Sequence, residues 1–332
     1  MSDQIATIDG VKSFAYSEAG GPGWHGYGQV MPAGASIEEW ERAAGLAYRV
    51  QRARVRYNTD RTGSAQREVS GQVVQFRSDT GAPLGIVSDS FQTVQPREVL
   101  ELFRDWADAG GVRIETAGAL FGGRVYFALA KLDDAVSIDG SKDRIAPYIY
   151  CSTACDGTRA TITTPTAIRV VCANTDRLAM RGLHRTGASA LRARGIDKQS
   201  HRSAFDPSSA RVVIESARED FAAYMETARH LAAVRVSVDR AAHWTAELVG
   251  AAKTATGRVS TAHARIMSLF QGAGMGATLE TAQGTAWGFY NAVTEYADHH
   301  IRASSTDNRF DSAQSGPGAA LKSRAFDLVT VG

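Results

Sequence analysis

Three arginines alternate with small or apolar residues in one short stretch of the chain. Arg52, Arg54 and Arg56 are separated by Ala53 and Val55. In a β-strand, alternate side chains point to the same face and lie about 6.6 Å apart. This spacing is comparable to the distance between phosphates along an extended nucleic-acid strand. The stretch therefore predicts either a cationic surface that binds a polyanion or a solvated edge strand whose charges prevent aggregation.

A second basic segment lies between residues 177 and 202, where Asp197 is the one acidic residue. Its basic residues are Arg177, Arg181, Arg185, Arg192, Arg194, Lys198 and Arg202. Sequence-independent binding of nucleic acid combines phosphate neutralisation with aromatic side chains on which bases stack. The tyrosines expected near such a surface are Tyr48, Tyr57, Tyr126, Tyr148 and Tyr150. The predicted nucleic-acid contacts are Arg52, Arg54, Arg56, Tyr57, Arg177, Arg181 and Arg185.

A candidate metal site lies in the stretch Glu295-Tyr-Ala-Asp-His-His300. On an α-helix, Glu295 and His299 are one turn apart on the same face, and Asp298 is adjacent in angle. Carboxylate and imidazole groups at this spacing can share a metal ion. Glu295, Asp298 and His299 are therefore the ligand candidates for a metal-dependent nucleic-acid hydrolase. The alternative is a structural anchor in which His299 pairs with Glu295, since one such pair supplies fewer ligands than a catalytic site needs.

The composition is that of an ordinary globular protein. The 332 residues carry a formal net charge of +2, with 44% hydrophobic and 22% charged residues. The N-terminal sequence lacks the pattern of a secretory signal, and no stretch approaches the roughly eighteen apolar residues of a membrane span. The odd number of cysteines (Cys151, Cys155 and Cys172) predicts structural thiols in a reducing compartment. We expect a cytoplasmic protein without membrane contacts and without a cofactor.

The hydrophobic pattern changes once along the chain. From residue 48 to about 180 its period is mainly two, which predicts β-hairpins. Within this region we also expect a helix that starts at Pro96 and a short helix near 174–180. Beyond residue 206 the period is 3.6, which predicts a series of helices. The expected fold class is α+β, with an antiparallel β-sheet core, packed helices and a C-terminal helical region. The expected domains are an N-terminal arm over 1–47, an α+β core with the basic segment over 48–205, a helical region over 206–302 and a C-terminal tail over 303–332.

Several motifs occur in a fixed order along the chain. They are Trp24-His-Gly26, the runs 77–88 and 115–123, Ile168-Arg-Val-Val-Cys-Ala-Asn-Thr175, and the run 284–299 that begins Gly-Thr-Ala-Trp-Gly. Together these motifs resemble those of a phage- and plasmid-borne family described as domain of unknown function 932. The resemblance covers residues 22 to 328 and implies a setting in phages, plasmids and prophages, but no activity.

The expected order of strands and helices is also similar to that of the phage single-strand annealing proteins, the group of RecT, Redβ and Erf. That resemblance implies a ring or filament of identical subunits with single-stranded DNA along a basic groove. The sequence thus predicts a single-stranded DNA-binding protein that promotes strand annealing and homologous recombination as a homo-oligomer. The alternatives are a metal-dependent nucleic-acid hydrolase and a regulatory phage factor that binds another protein.

Overall fold

A computed structural model describes residues 7–8, 11–18, 28–60, 62, 65–108, 112–169, 174–176, 196–250 and 260–331. The strands in chain order are β1 Thr7–Ile8, β2 Val11–Lys12, β3 Phe14–Ser17, β4 Gln29–Met31, β5 Val50–Asn58, β6 Gln66–Arg77, β7 Pro83–Ser88, β8 Arg113–Leu120, β9 Val125–Lys131, β10 Val136–Ser137, β11 Arg144–Ala154, β12 Thr161–Arg169, β13 Asn174–Asp176 and β14 Asp197–Gln199. The α-helices are α1 Ile37–Ala43, α2 Pro96–Asp108, α3 Pro207–Ala233, α4 Val238–Val249, α5 Thr261–Ser268, α6 Ala286–Glu295, α7 Thr306–Ser315 and α8 Pro317–Val331. Residues Phe121–Gly123 form a 3₁₀ turn, and Leu269–Ala273 and Tyr296–His300 are π-helical.

The chain divides into two compact units that interleave along the sequence. The first contains Met1–Lys131, Ile149–Thr164 and Leu191–Val213, and the second contains Leu132–Tyr148, Pro165–Ala190 and Ile214–Gly332. The chain passes between the units within β11 and β12. Among the described helices, none combines the length and the apolar character needed to cross a membrane.

The first unit is built mainly from antiparallel strands. One sheet of this unit contains the strand order β4, β3, β8, β9, β11 and β12. Strands β3 and β4 are parallel, and the β3–β8 and β8–β9 pairs are antiparallel. A separate sheet consists of β5, β6 and β7. Helix α2 contacts β8 and β9. As its 3.6-residue pattern predicts, α2 starts at Pro96 and buries Val99, Leu102 and Phe103.

The helix α1 in the N-terminal arm begins with a capping box. Ser36 Oγ accepts a hydrogen bond from the Glu39 backbone N–H at 3.3 Å, and Glu39 Oε2 accepts one from the Ser36 backbone N–H at 2.7 Å. These two bonds form the capping box and satisfy backbone donors at the start of α1. Gly45 follows the helix with φ of 66°, a conformation that favours glycine. Trp40 is buried, whereas Trp24 lies outside the described residues.

The second unit has a hydrophobic core among its helices and also contains a buried cation–carboxylate cluster. Asp143 has no exposed surface and pairs with Arg169 through two bonds of 2.6 and 2.8 Å. Thr281 Oγ1 donates to the same carboxylate at 2.8 Å, and Trp287 Nε1 donates at 3.0 Å. These donors compensate for the cost of burying the charge. The cluster fixes the loop before α6 to the strands of this unit.

The structure confirms the α+β class with antiparallel sheets and a C-terminal helical region. One local expectation is wrong. Residues Asn174–Asp176 form a strand paired with β12, where a short helix was expected. The C-terminal tail after residue 303 contains α7 and α8, because Ser305 caps α7 and apolar residues of both helices are buried.

Candidate nucleic-acid interface

Strands β5 and β6 form a hairpin, here called the arginine ribbon, whose outer half has no core to cover. Every residue of β5 after Val50 is exposed except Val55, which is half-buried. Residues 66–72 of β6 are also exposed except Val69. Solvent therefore reaches both faces of the ribbon away from β7. This exposure explains why polar side chains occupy both faces, which a strand packed on a core would not permit.

The three predicted arginines of β5 are all exposed, but a neighbouring strand supplies a carboxylate. Arg54 Nη1 lies 2.6 Å from Glu68 Oε2, and Arg56 Nη2 lies 3.1 Å from Glu68 Oε1. Arg52 donates a hydrogen bond to the backbone oxygen of Asp89. The arginine row contains no carboxylate of its own, but β6 supplies one across the strand pair. An irregularity in the β5–β6 register between Arg54 and Arg56 brings Glu68 opposite Arg56.

The Glu68 contacts weaken the positive surface only partly. The side chains of Arg54, Arg56 and Glu68 are 75%, 58% and 39% exposed. Hydrogen bonding from Arg54 is the main cause that lowers the pKa of Glu68, so the carboxylate is ionised at neutral pH. Exposed ion pairs are weak and are screened by salt. From residue 49 to 72 the chain has six arginines and two acidic residues, so the ribbon keeps a net charge of +4.

Of the five tyrosines predicted to lie near a nucleic-acid surface, one is exposed. Tyr57, at the outer end of β5, is 50% exposed. The other tyrosines considered (Tyr48, Tyr126, Tyr148 and Tyr150) are between 0% and 7% exposed, so they cannot stack on bases. Tyr48 instead donates to the Gly123 backbone oxygen at 2.7 Å and lies under the guanidinium of Arg77. Arg177, Arg181 and Arg185 lie outside the described residues.

The three metal-ligand candidates do not converge. Glu295 Oε2 accepts a hydrogen bond from the Met275 backbone N–H at 2.8 Å. Asp298 forms a buried ion pair with Lys322 at 2.7 Å. The His299 backbone oxygen accepts a bond from Arg309. No group of three histidine, cysteine, aspartate or glutamate side chains that could hold a metal occurs among the residues the structure describes.

The π-helical turn Tyr296–His300 explains why the α-helical spacing argument fails here. Its backbone hydrogen bonds span five residues, so residues five apart become neighbours. His300 rather than His299 is therefore next to Glu295, with 3.8 Å between His300 Nε2 and Glu295 Oε1. Burial, with Arg265 the next cause, lowers the pKa of His300 to about 4, so its ring is neutral at pH 7. Burial raises the pKa of Glu295.

The described cysteines are placed as structural thiols. Cys151 and Cys155 are buried and unbonded to each other, and burial raises the pKa of each thiol to about 12. The thiolate needed for metal binding or nucleophilic attack is therefore scarce at neutral pH. Cys172 lies outside the described residues.

These features define an α+β protein with an exposed cationic β-ribbon. Residues 83–315 match the family model described as Domain of unknown function (DUF932), and the chain belongs to that family. The matched region starts at β7, so β5 and β6 lie before it. No curated protein and no solved structure matches the chain.

Proposed function

We propose that this protein binds single-stranded nucleic acid along the arginine ribbon and promotes the annealing of complementary strands. The observation that carries the proposal is the solvent-exposed ribbon with an excess of four positive charges and with Tyr57 exposed at its end. Cationic side chains bind phosphates without regard to sequence, and an exposed aromatic ring adds stacking. In this proposal the protein acts as a homo-oligomer, a ring or filament, in the cytoplasm of a bacterium that carries a phage or another mobile element.

The ion pairs with Glu68 are compatible with this proposal. A phosphate that approaches Arg54 and Arg56 replaces one exposed carboxylate partner with another anion. Because all three side chains are exposed to solvent, the exchange carries a small desolvation cost compared with that of a buried pair. Glu68 then limits non-specific affinity rather than preventing it.

The test measures binding of labelled single-stranded, duplex and RNA oligonucleotides at two salt concentrations. The variant R52A/R54A/R56A should reduce the slope of log affinity against log salt by about 2, because each phosphate contact with a single strand contributes about 0.7. The matched control is R218A/R229A/R302A, which removes the same charge from the second unit. An unchanged slope in the ribbon variant, or an equal change in the control, would exclude the ribbon as the binding surface.

Annealing is measured separately, from the rate at which two labelled complementary strands pair in the presence of the protein. Wild-type protein should accelerate pairing, and the ribbon variant should lose that acceleration in proportion to its lost binding. If binding is intact and pairing is not accelerated, the annealing part of the proposal is wrong.

A further inference from the structure

The outer edge of β5 carries no partner strand within the described part of the chain. The pairing register shows which backbone groups face outwards there. The Ser78 backbone N–H donates to the Arg49 oxygen, so Arg49 faces β6. Because strand residues alternate in this respect, the N–H and C=O groups of Val50, Arg52 and Arg54 point away from β6.

At the start of this edge, a side-chain amide makes the hydrogen bonds that a neighbouring strand would make. Gln95 Oε1 accepts a hydrogen bond from the Val50 N–H at 2.9 Å, and Gln95 Nε2 donates to the Val50 oxygen at 3.2 Å. A residue of an added strand would make the same two bonds. The Gln95 side chain bonds to the backbone groups of Val50. The next outward-facing backbone groups along this edge are those of Arg52 and Arg54.

The two faces of the sheet next to this edge differ in chemistry. Ala53, Val74 and Ile86 lie side by side across the three strands, and Ile86 is 56% exposed. At this position the face is apolar and partly open to solvent, and the polar Gln51 lies on the same face two residues earlier. Arg52 and Arg54 point to the opposite face, because neighbouring residues of a strand alternate between faces. A strand added to β5 would therefore meet cations on one face and small apolar side chains on the other.

We propose that β5 binds an extended segment of a partner protein by antiparallel strand addition, and that this segment alternates acidic with apolar residues. Its acidic side chains lie opposite Arg52 and Arg54, where opposite charges across a strand pair attract. A second copy of β5 is the wrong occupant, since antiparallel pairing would bring arginines opposite arginines. The inference rests on the proposed function in one respect: the added segment covers the ribbon arginines and so competes with nucleic acid.

The test uses a blocked heptapeptide of alternating glutamate and valine, added to the full-length protein without nucleic acid. Fluorescence anisotropy should show saturable binding, and a lysine–valine heptapeptide should not bind. In the antiparallel arrangement the glutamate N–H groups face β5. N-methylation of the glutamates should therefore abolish binding, whereas N-methylation of the valines, which carries the same charge, should leave it intact. Equal binding of both methylated peptides would contradict strand addition and would show that the peptide binds through its charge alone.

Amide hydrogen exchange gives an independent readout on the protein. The peptide should slow exchange at the Arg52 and Arg54 amides, which face outwards, and should leave the Ala53 amide unchanged, because it already bonds to β6. The variant R52E/R54E should no longer bind the glutamate–valine peptide and should bind the lysine–valine peptide instead. Unchanged exchange at Arg52 and Arg54 would contradict the proposal.

The two proposals fail separately. Peptide binding without any binding of single-stranded oligonucleotide would sink the proposed function and keep the strand-addition site. Oligonucleotide binding without peptide binding would contradict the strand-addition site and would keep the proposed function. If both bind, increasing peptide should displace the oligonucleotide, and a ternary complex would refute competition at the ribbon.

Discussion

Glu68→Gln should strengthen nucleic-acid binding and make it more sensitive to salt. The substitution keeps the size of the side chain but removes the charge that holds Arg54 and Arg56 at 2.6 and 3.1 Å. If both released arginines contact phosphates, the slope of log affinity against log salt steepens by about 1.4 for a single strand. The affinity gained on lowering salt from about 200 to about 50 mM would then be about sevenfold greater than for wild type.

The assay is anisotropy of a labelled oligothymidylate across a salt series. Glu226→Gln is the matched control, because Glu226 also forms an exposed ion pair, with Arg229, and the net charge changes equally. The reasoning predicts a steeper slope for the Glu68 variant and an unchanged slope for the control. Equal slopes in the two variants would mean that only total charge matters, and a weaker affinity for the Glu68 variant would show that the pair orders the ribbon for binding.

Three further predictions concern the fold. Gly288→Ala should lower the melting temperature sharply, since a Cβ there would overlap the backbone of the preceding loop; calorimetry measures this. Asp143→Asn should cost about 3–5 kcal/mol in denaturant unfolding, because it leaves the buried guanidinium of Arg169 without its counter-charge. Cys151 and Cys155 should resist alkylation in the folded protein, which mass spectrometry of labelled peptides can check. Because folding raises the pKa of both thiols, the free energy of unfolding should fall as pH rises from 9 towards 12, by up to about 1.4 kcal/mol per pH unit for each thiol.

Local signals in the sequence were sufficient where neighbouring residues decide the structure. The capping box of Ser36 and Glu39, the start of α2 at Pro96 and the exposure of Arg52, Arg54 and Arg56 follow from residue type and period alone. Each of these features depends on contacts within a few residues or on the alternation of a strand. For such features the single sequence carries the necessary information.

The features that were missed depend on register and on long-range packing. Glu68 faces Arg56 because of an irregularity in strand pairing that no local pattern marks. His300 replaces His299 beside Glu295 because the helix changes its hydrogen-bond spacing at residue 296. Four of the five tyrosines expected on the nucleic-acid surface are buried, because alternation along a strand does not say which face of a sheet is covered.

An exposed edge strand needs protection from pairing with other chains, and the arginines of β5 supply it against a second copy of β5. The same charges attract phosphates and acidic segments, so edge protection and anion binding have one physical source. Threonine at positions 52, 54 and 56 keeps strand propensity and removes the charge. This variant should lose oligonucleotide binding and also sediment as larger species than wild type, whereas lysine at the three positions should preserve both properties. Loss of binding without added self-association would show that the arginines serve binding alone.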